Sequence, residues 1–197
     1  MPSRLETLRQ SLPEFAKDIR LNLGSFLGQG GLPELTPAQK WGCAVAAAVA
    51  CRNPALIGAV EAEAKAAIEP AVAEAARTAA ALMAMTNVYY RAVHMAGDAE
   101  LGKLPAGLRM NGLTKHGIAQ ADFELFGLAA SVVKGCEGCT RAHVDGAKKH
   151  GATVQAVQAV LKLAAVLHAT ATVLDAAAAH ALSISDPASP AVAPALA

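Results

Sequence analysis

The chain has 197 residues and a formal net charge of +1; 54% of it is hydrophobic and only 4% aromatic. So balanced a charge leaves no strong field to recruit nucleic acid or an acidic membrane, and the length is enough for a sizeable core. Most of the apolar content is alanine, the strongest helix former and a very small side chain, which points to closely packed helices.

In chain order, residues 3–22 read as one amphipathic helix, because Leu5, Leu8, Leu12, Phe15 and Ile19 recur at steps of three and four. Gly28, Gly30, Gly31 and Pro33 mark a loop, and no strand precedes it that would make it a nucleotide-binding turn. Thr36 and Pro37 open a second helix as N-cap and first helical residue, and it runs through the alanines to about Ala50. Asn53-Pro54 ends it and starts another, covering roughly 54–66. Glu69-Pro70 starts a long helix to about His94, and the Gly- and Pro-rich stretch 97–120 is a structured connection with a short helical turn. Ala121-Asp122 opens a helix over Phe123–Val133, which Gly135 interrupts. The next begins near Cys136 and stops at His150-Gly151. Thr153 caps the last, from about Val154 to His180.

No strand-like alternation of useful length occurs, so the fold class is all-α, a multi-helix bundle, with 1–182 as one domain. The tail 183–197 is polar and Pro-rich and reads as disordered. An offset of 85 residues lays Trp41-Gly42 on Phe126-Gly127, Gln39 against Glu124 and Cys51 on Cys136. This reads as a duplicated helical hairpin whose second copy alone carries the chemistry. No run of about 18 apolar, uncharged residues is present, and the charged N-terminal stretch lacks the apolar segment of a signal peptide. The expected compartment is therefore the cytoplasm, where thiols stay reduced, so the four cysteines point to catalysis or metal binding.

The strongest local signal is Gly135-Cys136-Glu137-Gly138-Cys139, followed by His143. Two cysteines at this spacing can close a small disulfide ring, and a helix N-terminus favours the thiolate, the nucleophile in peroxide reduction and disulfide exchange. His143 stands one turn after Cys139 on the same face, placed to relay a proton. Glu124, flanked by Phe123, Leu125 and Phe126, can reach His143 if the two helices fold back, fixing its tautomer and raising its basicity. Two alternatives stay open at this point. The pair could be plain core thiols, or Cys136, Cys139 and His143 could bind zinc with Glu124 or His150 as fourth ligand. Covalent haem attachment needs His directly after the second Cys, where Thr140 stands. Cys43 and Cys51 read as core thiols, and Tyr89-Tyr90 as packing or interface.

Glu124, eleven residues, Cys136-x-x-Cys139, three residues, His143 resembles the signature of the alkyl hydroperoxidase D (AhpD) family, a branch of the carboxymuconolactone decarboxylase-like superfamily. Leu108-Arg109-Met110-Asn111, Phe123-Glu124-Leu125, Asn87-Val88-Tyr89-Tyr90 and Trp41-Gly42 are similar to that family too, over about residues 1–180. The resemblance implies an all-α homotrimer with no bound cofactor and the activity of a lipoyl-dependent peroxiredoxin. Such a protein reduces alkyl hydroperoxides or regenerates the peroxiredoxin AhpC. Its electron donor would be dihydrolipoamide on a 2-oxoacid dehydrogenase acyltransferase, with lipoamide dehydrogenase upstream. By position, Cys139 would form the sulfenic acid, Cys136 would donate a proton and then close the disulfide, and Glu124 and His143 would relay protons. Gly138 departs from members that place a second histidine there. An adaptor that reduces a partner's disulfide, with little activity on free peroxide, uses the same residues.

Overall fold

Caps and prolines set where the helices begin. The structure, a computed structural model, describes residues 2–185, without the side chains of 183–185. Ser3 caps α1 (Arg4–Ser11) by accepting from Glu6 N–H. A 3-10 turn at Glu14–Ala16 leads into α2 (Lys17–Leu27). The expected single helix over 3–22 is therefore broken. Pro13 disfavours helical geometry at Leu12, which is extended (φ −66°, ψ 131°). The break also turns Phe15 out of the apolar face, leaving it 78% exposed while Leu5, Leu8 and Leu12 are buried.

Thr36 and Gln39 form a reciprocal capping box at the start of α3 (Pro37–Cys51). Asn53 caps α4 (Pro54–Ala67) through Leu56 N–H, and its amide also donates to Asp175 at 2.7 Å. The long α5 spans Pro70–Ala96 and the short α6 Ala99–Lys103, and a 3-10 turn at Asn111–Leu113 leads on to α7 (Gln120–Lys134). Then come α8 (Glu137–Lys149) and α9 (Val154–Ser185). No strand occurs among the described residues. Helix α9 passes the expected end at His180 and takes in residues 183–185, and the rest of the expected tail lies outside the described residues.

The core forms around α3 and α7, which pack on each other and on α5 and α9. Cys43, Ala44, Val45, Ala46 and Ala47 are fully buried on successive positions of α3, as expected of a helix surrounded on all sides. Leu125, Phe126, Leu128, Ala129 and Ala130 do the same on α7. Lys134 donates to Ala50 O at 2.6 Å, tying the C-terminal ends of these two helices together. Helix α9 is long and apolar enough to cross a membrane (mean hydropathy 1.6 over an 18-residue window within Val154–Leu182), but half of that window is buried in the bundle. Val160, Leu163, Ala164 and Leu167, all fully buried, mark it as a core helix.

The helix ends of the two hairpins, α3–α4 and α7–α8, repeat, but not in the expected register. A shift of 83 residues carries Pro37 onto Gln120, Cys51 onto Lys134 and Pro54 onto Glu137. The matches made at 85 residues, including Cys51 with Cys136, fall two residues outside that frame. In the helical frame Asn53 and Cys136 correspond, each an N-cap accepting from an amide three residues on.

At the α3–α7 crossing a Cβ on Gly42 would run into the ring of Phe126, which is itself fully buried. Gly42→Ala should therefore cost about 1–3 kcal/mol of stability by overpacking. Urea unfolding checks this; a midpoint equal to the parent's would mean the ring can step aside.

Candidate active site

The turn at Gly135 builds the site. Its φ of +64° lies where glycine is favoured, and its N–H bonds back to Ser131 O and Val132 O, closing α7. The chain reverses and α8 packs along α7. Cys136 becomes the N-cap of α8, its sulfur accepting from Cys139 N–H at 3.3 Å. Cys136 and Cys139 are joined as a disulfide, with Cα atoms 5.3 Å apart. Cys136 is 2% exposed and Cys139 9%.

Glu124 and His143 meet across the α7–α8 contact, Oε2 to Nδ1 at 2.7 Å, with side chains 18% and 13% exposed. Gln120 Nε2 donates to the other oxygen, Oε1, at 2.8 Å. Burial pushes the Glu124 carboxyl up, but the hydrogen bonds from His143 and Gln120, with the charges of His143 and His150, outweigh it and hold the group below its ordinary value. An ionised Glu124 accepts the Nδ1–H, which leaves Nε2 as the ring nitrogen turned away from the carboxylate. Met83 Sδ of α5 lies 3.0 Å from that Nε2.

Two glycines make the approach possible. A Cβ on Gly127, one turn after Glu124, would lie 2.5–2.8 Å from the His143 ring. A Cβ on Gly146, one turn after His143, would lie 2.7–3.1 Å from the Glu124 carboxylate. Each helix thus leaves a gap for the other's functional side chain.

Cys139 and His143 open on one cavity of about 430 Å³, walled by Met83 and Tyr90 of α5 and by Met110 and Leu113 of the connection before α7. Cys136 is absent from its wall. Tyr90, expected to serve packing or an interface, is part of this wall. A larger hollow of about 510 Å³ lies beside α4 and α5 and carries Glu61, Lys65 and Arg77 but no thiol or imidazole.

The remaining cysteines fit the reading as core thiols. Cys43 is fully buried, which raises its thiol well above the ordinary value. Cys51 is half-buried; burial pushes it up to about 11, with Lys134 opposing and Asp175 adding. Neither supplies a thiolate at neutral pH. The zinc alternative needs at least three donors converging, and among the described residues no three His, Cys, Asp or Glu side chains do so. His150 Nδ1 is occupied by Gly146 O at 2.8 Å.

Comparison with known proteins bears on this arrangement. The model of the carboxymuconolactone decarboxylase family matches residues 99–181, which span the whole site apart from the α5 wall. An alkyl hydroperoxide reductase AhpD of Anaeromyxobacter sp. (strain K) is 51% identical over 173 residues, 88% of this chain and 91% of that protein. Proteins of the same name from Rhodospirillum centenum and Streptomyces avermitilis are 47% and 44% identical, over 89% and 87% of this chain and 92% and 96% of theirs. The chain belongs to the AhpD family of alkyl hydroperoxide reductases.

The structure brings Glu124 onto His143 and joins Cys136 to Cys139, and it puts Cys139 and His143 on one cavity. Sequence reasoning missed Gln120, Gly127, Gly146 and Met83. Gln120 precedes Glu124 by one turn, and each glycine follows a signature residue by three, so helical spacing could have found them. Met83 carries no local signal, since only packing of α5 brings it to His143.

Gly127→Ala should displace the imidazole and lower peroxide turnover by ~100-fold or more, the scale of a lost acid–base group, in a chain that still folds. Steady-state turnover with circular dichroism as the folding control checks this; unaltered turnover would mean the ring tolerates the methyl. Because its folded-state value is lowered, Glu124 contributes stability at neutral pH that is lost as pH falls from the ordinary carboxylate range through that lowered value. Acid unfolding of Glu124→Gln should lack this component, and an unaltered pH dependence would show that the contact contributes none.

Proposed function

We propose that this protein reduces alkyl hydroperoxides by a dithiol–disulfide cycle at Cys136 and Cys139, with Glu124 and His143 as the proton relay. The observation that carries this reading is that Cys139 and His143 share an apolar-walled cavity while Cys136 sits behind at the helix N-terminus. An organic peroxide with an apolar chain fits walls of Met, Leu and Tyr. In the reduced protein the Cys139 thiolate attacks the outer peroxide oxygen, giving Cys139 sulfenic acid, and His143 Nε2–H protonates the departing alkoxide. The Cys136 thiolate, stabilised by the N-terminus of α8, then attacks the Cys139 sulfur; the Cys136–Cys139 disulfide forms and water leaves. With Gly138 where some relatives carry histidine, His143 and solvent move the protons.

An external dithiol returns both sulfurs to the thiol state by exchange. Dihydrolipoamide on a 2-oxoacid dehydrogenase acyltransferase, itself re-reduced through lipoamide dehydrogenase, is the donor proposed from the family resemblance. The same resemblance supports AhpC as the peroxiredoxin partner, a homotrimer as the assembly and the cytoplasm as the compartment. No prosthetic group is required by the cycle.

Adding one equivalent of an alkyl hydroperoxide to the reduced protein should consume two thiols per chain and yield the Cys136–Cys139 disulfide by peptide mass mapping. Cys139→Ser should abolish turnover, and Cys136→Ser should stop at a sulfenic acid that dimedone traps at Cys139. Full activity of Cys139→Ser with dihydrolipoamide would sink the mechanism. Faster reduction of oxidised AhpC than of free peroxide would instead support the adaptor reading.

A further inference from the structure

The hydrogen bonding at Glu124 does not end at Gln120. His116, in the connection before α7, contacts Gln120 Oε1 through its Nε2 at 2.9 Å. Its other nitrogen, Nδ1, accepts the Ile118 N–H at 3.4 Å, so the proton of the neutral ring resides on Nε2, which therefore donates to Gln120. This orients the amide: the Gln120 oxygen faces His116, and the NH2 group faces Glu124 Oε1 at 2.8 Å. The His116 ring is held in place by stacking on Phe123, with centroids 4.1 Å apart and planes 11° from parallel. Phe123 is 1% exposed and anchored in the core. Gly117, at φ +74°, makes the turn that folds His116 back over the first turn of α7.

We propose that His116 and Gln120 are positioning residues that extend the relay into a chain, His116–Gln120–Glu124–His143, fixing the Glu124 carboxylate in place and keeping it ionised against His143. Neither residue touches the reacting atoms or lines the cavity. The mechanism above uses only the last two members, and the chain's first two act through them. The titratable groups that act on Glu124 are His143 on α8 and His150, the residue that caps the C-terminus of that helix. Asp122, on Glu124's own helix, is bonded to Gln39 of α3 at 2.8 Å, and α5 brings the uncharged Met83 to His143. Among the described residues Gln120 is thus the donor to the carboxylate besides His143, and its loss falls directly on the ionised form.

The inference rests on the proposed relay, so its test has one readout independent of turnover: the titration midpoint of Glu124, followed by carboxyl carbon NMR in the disulfide form. Gln120→Met should raise that midpoint by about half a unit or more, roughly a threefold change in the ionisation constant. The acidic limb of the peroxidase pH profile should shift with it, with kcat lowered below that limb and KM for the hydroperoxide unchanged. His116→Phe keeps the stack but removes the donor, and should shift the midpoint in the same direction by less. In the double variant the shift should equal that of Gln120→Met alone, because His116 acts only through the amide. Gln120→Glu keeps the length of the side chain and should raise the midpoint further, as two carboxylates then share the site. An unmoved midpoint in Gln120→Met and Gln120→Glu, or fully additive shifts in the double variant, would overturn the inference. A moved midpoint in a protein that turns over no peroxide would leave the positioning chain standing and remove the proposed activity instead.

Discussion

The site depends on one short contact, the 2.7 Å hydrogen bond between Glu124 on α7 and His143 on α8. A carboxylate among buried aromatic and aliphatic neighbours is costly unless its oxygens are satisfied, and here each oxygen has a partner. Two helices can bring such short polar side chains together only if their backbones come close. Gly127 and Gly146 provide that closeness at the two heights where the functional side chains cross. Gly135 provides the reversal that sets the helices against each other. The requirement for room and the requirement for hydrogen bonding thus fall on the same two helix faces.

The four cysteines show how strongly position within a helix governs a thiol. Cys43 and Cys51 lie along α3, away from its N-terminus, where burial dominates and the proton is held. Cys136 stands at the head of α8, where its sulfur accepts a backbone N–H. Burial alone would make all of them inert. The free amides of a helix start face one sulfur instead, and the one-turn spacing brings its neighbour Cys139 to the cavity wall.

Much of the wall facing Cys139 and His143 comes from elsewhere in the chain. Met83 and Tyr90 come from α5, and Met110 and Leu113 from the irregular connection that precedes α7. That connection serves twice, since its last residues also bring His116 over the start of α7. The cavity wall and the support of the carboxylate are in this way linked through one segment. The hairpin α7–α8 carries Glu124 and both cysteines, and α8 adds Gly138, Cys139, Ala142 and His143 to the wall.

Much of this was legible without coordinates because it is local. Proline at the first helical position, Thr36 and Asn53 as caps and Gly135 as a stop fixed most helix ends to within a few residues. The CxxC spacing together with Glu124 and His143 named the chemistry, since a pattern of helical steps defines which side chains share a face. The N-terminal break at Leu12-Pro13 was also local, but apolar periodicity masked it. The helix ends of the two hairpins run in step at an offset of 83 residues, two short of the 85 at which the side chains match. What only the tertiary structure decided is which distant atoms meet: Met83 on the imidazole, Tyr90 in the cavity wall, His116 on Gln120. Those contacts depend on how whole helices cross, a property of the packed core that no short stretch of residues encodes.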